Sequence, residues 1–160
     1  MKFSDANQKK IAELLTHYPE GPKGKQAALL PVLRLAQEQF GFVSEEVMAL
    51  VGETLGLSPA YVFSVATFYS QFYKKPVGKH HLQVCTNLSC CLEGAASIYK
   101  HLKERLGIKA GEMTKDGRFS LEEVECLAAC GTGPVLQVNE TYHEKIDSNK
   151  KVDELLEKLK

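Results

Sequence analysis

The chain has 160 residues, 44% hydrophobic and 25% charged, with 20 Lys and Arg balanced by 20 Asp and Glu. That is the make-up of an ordinary globular protein, with room for one domain or for a compact domain preceded by a smaller helical piece. Zero formal net charge gives no long-range attraction to nucleic acid or an anionic lipid surface, and no run of about 18 apolar residues is present to span a bilayer. Residues 1–8 lack an apolar export leader, so the expectation is a cytoplasmic protein with no nucleic-acid partner and no direct membrane insertion.

In chain order, Ile11, Leu14, Leu15 and Tyr18 recur at helical spacing behind Asp5 and Gln8, which read as a capping box. Gly21-Pro22-Lys23-Gly24 breaks that helix. Leu29, Leu33, Ala36 and Phe40 define a second, ending near Gly41. Pro31 has no N–H and crowds the preceding turn, so it belongs in the first turns of that helix or at a kink. Ser44 caps a third helix, with Val47, Val51 and Leu55 on one face and Gly56 at its end. Ser58-Pro59 opens a fourth, carrying Val62, Val65, Phe68, Tyr69 and Phe72. Residues 1–78 are therefore expected to form a four-helix domain, closed by a basic hinge at 74–79 that contains Pro76 and Gly78.

Beyond the hinge the period changes. His80 to Cys85 alternates as a strand, Glu93 to Leu106 returns to helical spacing, and Arg118 to Val124 and Val135 to Val138 read as two more strands. Val152, Leu155, Leu156 and Leu159 mark a terminal helix. The order β, α, β, β, α predicts that residues 79–160 build a small mixed sheet flanked by helices, with the last two strands as a hairpin-like edge. The fold class is α+β.

Five cysteines are an odd number for a disulfide framework. Four of them form two pairs, Cys85 with Cys90 and Cys126 with Cys130, each just after a predicted strand. If the two strand ends lie side by side, four sulfurs meet. Such a site suits a [2Fe–2S] cluster, which takes two thiolates per iron and backbone N–H donors around them. Gly94, Gly131 and Gly133 would let the backbone approach the group, and the N-terminus of a helix starting near Leu92 would point positive charge at it. Structural zinc on four thiolates is the competing reading, although intervals of four and three residues resemble ferredoxin spacing more than a zinc ribbon. Five buried structural thiols are the third reading. No Cys-x-x-Cys occurs, which argues against a catalytic dithiol. Cys91 adjoins Cys90 and could replace it, but the two side chains leave a helix start in different directions, so Cys91 is read as a bystander.

Other features point to less. His80 and His81 face opposite sides of a strand and cannot easily share an ion, so a solvated strand end is expected there. Phe63, Phe68, Tyr69, Phe72 and Tyr73 read as core or partner-facing surface. No phosphate-cradling Gly loop is present, so NADH and flavin are not expected to bind this chain.

Along its whole length the sequence resembles a known family, the 24-kilodalton thioredoxin-like [2Fe–2S] subunit of NADH:quinone oxidoreductase (respiratory complex I), with relatives in NAD-linked hydrogenases and formate dehydrogenases. The resemblance is carried by Leu35-Ala36-Gln37-Glu38-Gln39-Phe40-Gly41, Val65-Ala66-Thr67-Phe68-Tyr69, Cys85 with Cys90 and Gly94, Glu125-Cys126-Leu127 with Ala129-Cys130, and Pro134 to Asn139 with Tyr142. It implies a helical docking domain before a thioredoxin-like ferredoxin domain, a [2Fe–2S] cluster on Cys85, Cys90, Cys126 and Cys130, and one-electron transfer without catalysis of its own. The implied partners are an FMN- and NADH-binding flavoprotein and other peripheral-arm subunits, on the cytoplasmic side of the inner membrane. Two positions depart from the family pattern: Ala128 stands where glycine is usual, and Cys91 is additional.

Overall fold

The computed structural model describes residues 1–159, and the chain divides into two units, Met1–Pro76 and Val77–Lys160. The first is all helical: α1 (Asp5–Leu15), α2 (Pro22–Ala27), α3 (Leu29–Phe40), α4 (Glu45–Leu55) and α5 (Pro59–Phe68). Local chemistry sets the boundaries. Ser4, Ser44 and Ser58 each accept an N–H of the first turn of α1, α4 and α5, and Gly41 and Gly56 close α3 and α4 in the left-handed region. The N-cap of α1 is thus Ser4 rather than Asp5.

The unit holds one helix more than the four expected. The Gly-Pro segment at 21–24 does not merely interrupt: Pro22 starts α2, where its missing N–H costs nothing, and Gly24 packs so closely on Pro19 that a Cβ would meet its carbonyl oxygen at 1.7 Å. Leu29, Val32, Leu33, Val47, Val51, Leu55, Val62 and Ala66 make the core, with Phe72 buried after α5 has ended. Gln37 ties that last stretch down, donating to Gln71 C=O at 3.0 Å and accepting from Tyr73 N–H at 2.7 Å. Phe63, Phe68 and Tyr69 are exposed.

The second unit is an α+β layer structure. Strands β1 (His80–Cys85), β2 (Glu112–Met113), β3 (Phe119–Val124), β4 (Leu136–Val138) and β5 (Thr141–His143) form one sheet in the order β2-β3-β1-β4-β5. Helices α6 (Leu88–Leu92), α7 (Ala95–Leu106) and α8 (Asn149–Lys158) complete it. The expected edge hairpin of the last two predicted strands does not form. β3 runs parallel to β1 on one side and β4 antiparallel to it on the other, while the hairpins are β2 with β3 and β4 with β5. Side chains alternate across β1. Leu82 and Val84 share a core with Leu121, Leu136, Ile98, Leu102, Val152 and Leu156, while His81 and Gln83 hydrogen-bond to Glu122.

Two polar clamps fix the start of β1. Ser120 Oγ accepts the Gly78 N–H at 2.9 Å, and Asn139, at φ 54 in the β4–β5 turn, accepts the His81 N–H and donates its amide nitrogen to Lys79 C=O. His81 is therefore a buried, hydrogen-bonded residue, 4% exposed, and not the solvated strand end expected of it. Its partners come from β3, which the local sequence does not reveal.

Candidate functional site

Cys85 is the last residue of β1 and Val124 the last of β3, and the two are register partners on adjacent parallel strands. The chain segments that follow therefore leave the sheet side by side, one carrying Cys90 and the other Cys126 and Cys130. The first turns over Thr86, whose N–H donates to Val124 C=O at 3.0 Å. Asn87 then caps α6, its Oδ1 accepting the Leu88 N–H at 2.8 Å. Cys90 lies within this short helix and faces inward at 2% exposure, against Cys85 at 3%. Together with Ala95 and the partly buried Leu127 they form a small apolar cluster of their own.

Cys126 and Cys130 are exposed, in a loop that ends in a 3₁₀ turn at Cys130–Thr132. The two buried thiols are shifted in opposite directions by their surroundings. Burial pushes the Cys85 thiol up, but the N–H groups of Asn87 and Leu127 and contacts with Cys90 and Cys126 outweigh it, so its pKa falls below the usual thiol value. Cys90 moves the other way: burial and the neighbouring Cys85 raise it against one Val135 N–H, with a further upward push from Cys130. Among the described residues no three His, Cys, Asp or Glu side chains are arranged about one ion position.

Cys91 points away. It is exposed, and its thiol donates to Thr86 C=O at 3.2 Å. The glycines near the cysteines differ in what they do. A Cβ on Gly133 would lie 3.5 Å from Cys90 Sγ, Gly94 takes φ 100 to start α7, and Gly131 faces open space with no need for its freedom. The helix expected to start near Leu92 is α7, which starts at Ala95 behind Gly94, and a short helix that the sequence reading did not expect, α6, precedes it and carries Cys90.

Sequence reading did not find the groups that dress the sulfurs, because most of them are backbone. The Ala128 N–H donates to Cys126 Sγ at 3.2 Å, and Tyr142 Oη donates to Leu127 C=O at 2.8 Å. Ala128 has φ 55, the left-handed region that favours glycine.

A family model for thioredoxin-like [2Fe–2S] ferredoxins matches residues 11–160. The chain is 41% identical over 160 residues to NADH-quinone oxidoreductase subunit 2 of Thermus thermophilus, covering 100% of this chain and 87% of that protein. It is 42% identical over 159 residues to a NADH-quinone oxidoreductase subunit of Rickettsia bellii, covering 99% of this chain and 93% of that one. Among solved structures, the NAD+-reducing [NiFe]-hydrogenase in its air-oxidized state aligns with a TM-score of 0.70 at 22% identity, over 82% of this chain and 22% of that chain. At that identity the hydrogenase likeness is one of fold. Matches that span the chain at about 40% identity settle its kinship: it belongs to the thioredoxin-like [2Fe–2S] ferredoxin family that includes these NADH-quinone oxidoreductase subunits, and whose cofactor is a [2Fe–2S] cluster.

Proposed function

We propose that Cys85, Cys90, Cys126 and Cys130 ligate the [2Fe–2S] cluster, and that the protein carries electrons to or from the FMN of a partner flavoprotein without catalysing a reaction itself. The observation that carries the reading is that Cys85 and Val124 end register-paired parallel strands, so the loops bearing Cys90 and Cys126 with Cys130 leave the sheet side by side. Two buried thiols and two exposed ones, on the loops that follow neighbouring strands, supply the four thiolates that such a cluster takes, two per iron.

When bound, the cluster supplies a one-electron redox couple. The protein's part is to hold the sulfurs, donate hydrogen bonds to them and limit water. The N–H groups of Asn87, Leu127 and Val135 are directed at the buried pair and that of Ala128 at Cys126, favouring thiolate over thiol and offsetting negative charge. Ala95 and Leu127 keep the inner side apolar. Leu88 and Leu92, 71% and 78% exposed on α6, give apolar surface beside the site for a partner to cover. Among the described residues no helix is long and apolar enough to cross a membrane. On this reading the protein sits in a peripheral arm on the cytoplasmic side of the inner membrane, docked through its helical unit.

The test is reconstitution with the purified flavoprotein. NADH should then bleach the visible absorption of this protein's cluster only when FMN is present. Reduction by NADH without the flavoprotein, or none with it when the cluster's potential permits, contradicts the proposed exchange.

A further inference from the structure

One peptide unit in the cysteine loop is hydrogen-bonded at both of its ends. Its carbonyl, that of Leu127, accepts from Tyr142 Oη at 2.8 Å. Its N–H, that of Ala128, donates to Cys126 Sγ at 3.2 Å. Hydrogen bonds in series polarise one another, so an amide engaged at its oxygen is a stronger donor at its nitrogen. The unit is held this way round by Ala128 at φ 55, a conformation that a non-glycine residue keeps only when its surroundings fix it. The hydroxyl comes from β5, where Tyr142 is the register partner of Gln137, and so from the sheet rather than from the loop itself.

We propose that Tyr142 is a positioning residue for the cluster: by fixing and polarising the Leu127–Ala128 peptide it strengthens the N–H bond to Cys126 Sγ and raises the reduction potential. The inference rests on Cys126 being a ligand. A donor to a ligating sulfur stabilises the reduced, more negative state more than the oxidised one, so weakening that donor lowers the potential. Tyr142 makes no bond to the sulfur, and its effect passes through the peptide.

The experiment compares the cluster-loaded protein with Tyr142→Phe, which removes the hydroxyl and keeps the ring. The midpoint potential should fall, by about twofold to fourfold in the one-electron equilibrium at fixed ambient potential. The shift of the iron–sulfur stretching bands on exchange from H2O to D2O should shrink as the N–H···S bond weakens. Tyr99→Phe, a hydroxyl removed from α7, should move neither quantity. If Tyr142→Phe loses the cluster, 3-fluorotyrosine placed at Tyr142 takes over: its more acidic hydroxyl donates more strongly and should raise the potential. An unmoved potential and isotope shift in the variant that keeps its cluster overturns the role of Tyr142. Retention of the cluster by Cys126→Ser overturns the ligand reading instead, so the two failures are told apart.

Discussion

His81 and Ser120 are register partners on the parallel strands β1 and β3, and His81 Nδ1 lies 2.8 Å from Ser120 Oγ. The same oxygen accepts the Gly78 N–H at 2.9 Å in a buried setting. Ser120→Ala takes that acceptor from Gly78 and a partner from His81 at once, and leaving a buried donor unsatisfied costs about 1–3 kcal/mol. A urea melt should show a loss of that size, and a change below about 0.5 kcal/mol would mean that water replaces the hydroxyl.

Ala128 carries the backbone cost of a left-handed conformation, φ 55, that glycine adopts freely. Ala128→Gly should therefore stabilise the folded chain by about 0.5–1 kcal/mol, after allowing for the extra entropy glycine brings to the unfolded state. A higher thermal midpoint is the expected readout, and a lower one would show that the methyl group is packed rather than strained.

Asp153 on α8 joins α7 through two contacts, His101 Nε2 at 3.1 Å and Arg105 Nε at 3.1 Å. The hydrogen bond from His101, and then that from Arg105, hold its carboxyl below the ordinary value of 3.8 against an opposing effect of burial. A depressed folded pKa means stability that is present above the unfolded pKa and lost as pH falls through the folded one. Asp153→Asn should lower stability at pH 7 and flatten its decline in acid below about pH 4. Urea midpoints measured from pH 7 to pH 3 check both, and parallel curves for the two proteins would remove the carboxylate from the account.

Much of the architecture was legible because caps and periodicity agree. Ser44 and Gly56 bracket α4, and Ser58 with Pro59 opens α5 where expected. What escaped was short or decided at a distance. Glu112 and Met113 are both exposed and make only a two-residue strand, and Thr141-Tyr142-His143 has no buried face, so neither shows an alternating pattern. β3 and β4 are successive long-patterned segments, yet β1 lies between them, a choice made by tertiary pairing rather than by any local turn. The spacing of the cysteines pointed to the two loops that leave β1 and β3 side by side. The amides of Asn87, Leu127 and Val135 stayed hidden, since every residue but proline has an N–H and only the fold aims it. Ala128 was read as a departure from the family pattern, and it stands at φ 55, in the region that favours glycine.

The central claim is the identity of the four ligands, and iron and sulfide content of five single Cys→Ser variants tests it most directly. Replacement of Cys85, Cys90, Cys126 or Cys130 should bleach or destabilise the cluster, while Cys91→Ser, whose thiol is turned to Thr86, should keep about two irons, two sulfides and an unchanged visible spectrum. A bleached Cys91→Ser, or an intact cluster after loss of any one of the other four, would contradict the assignment.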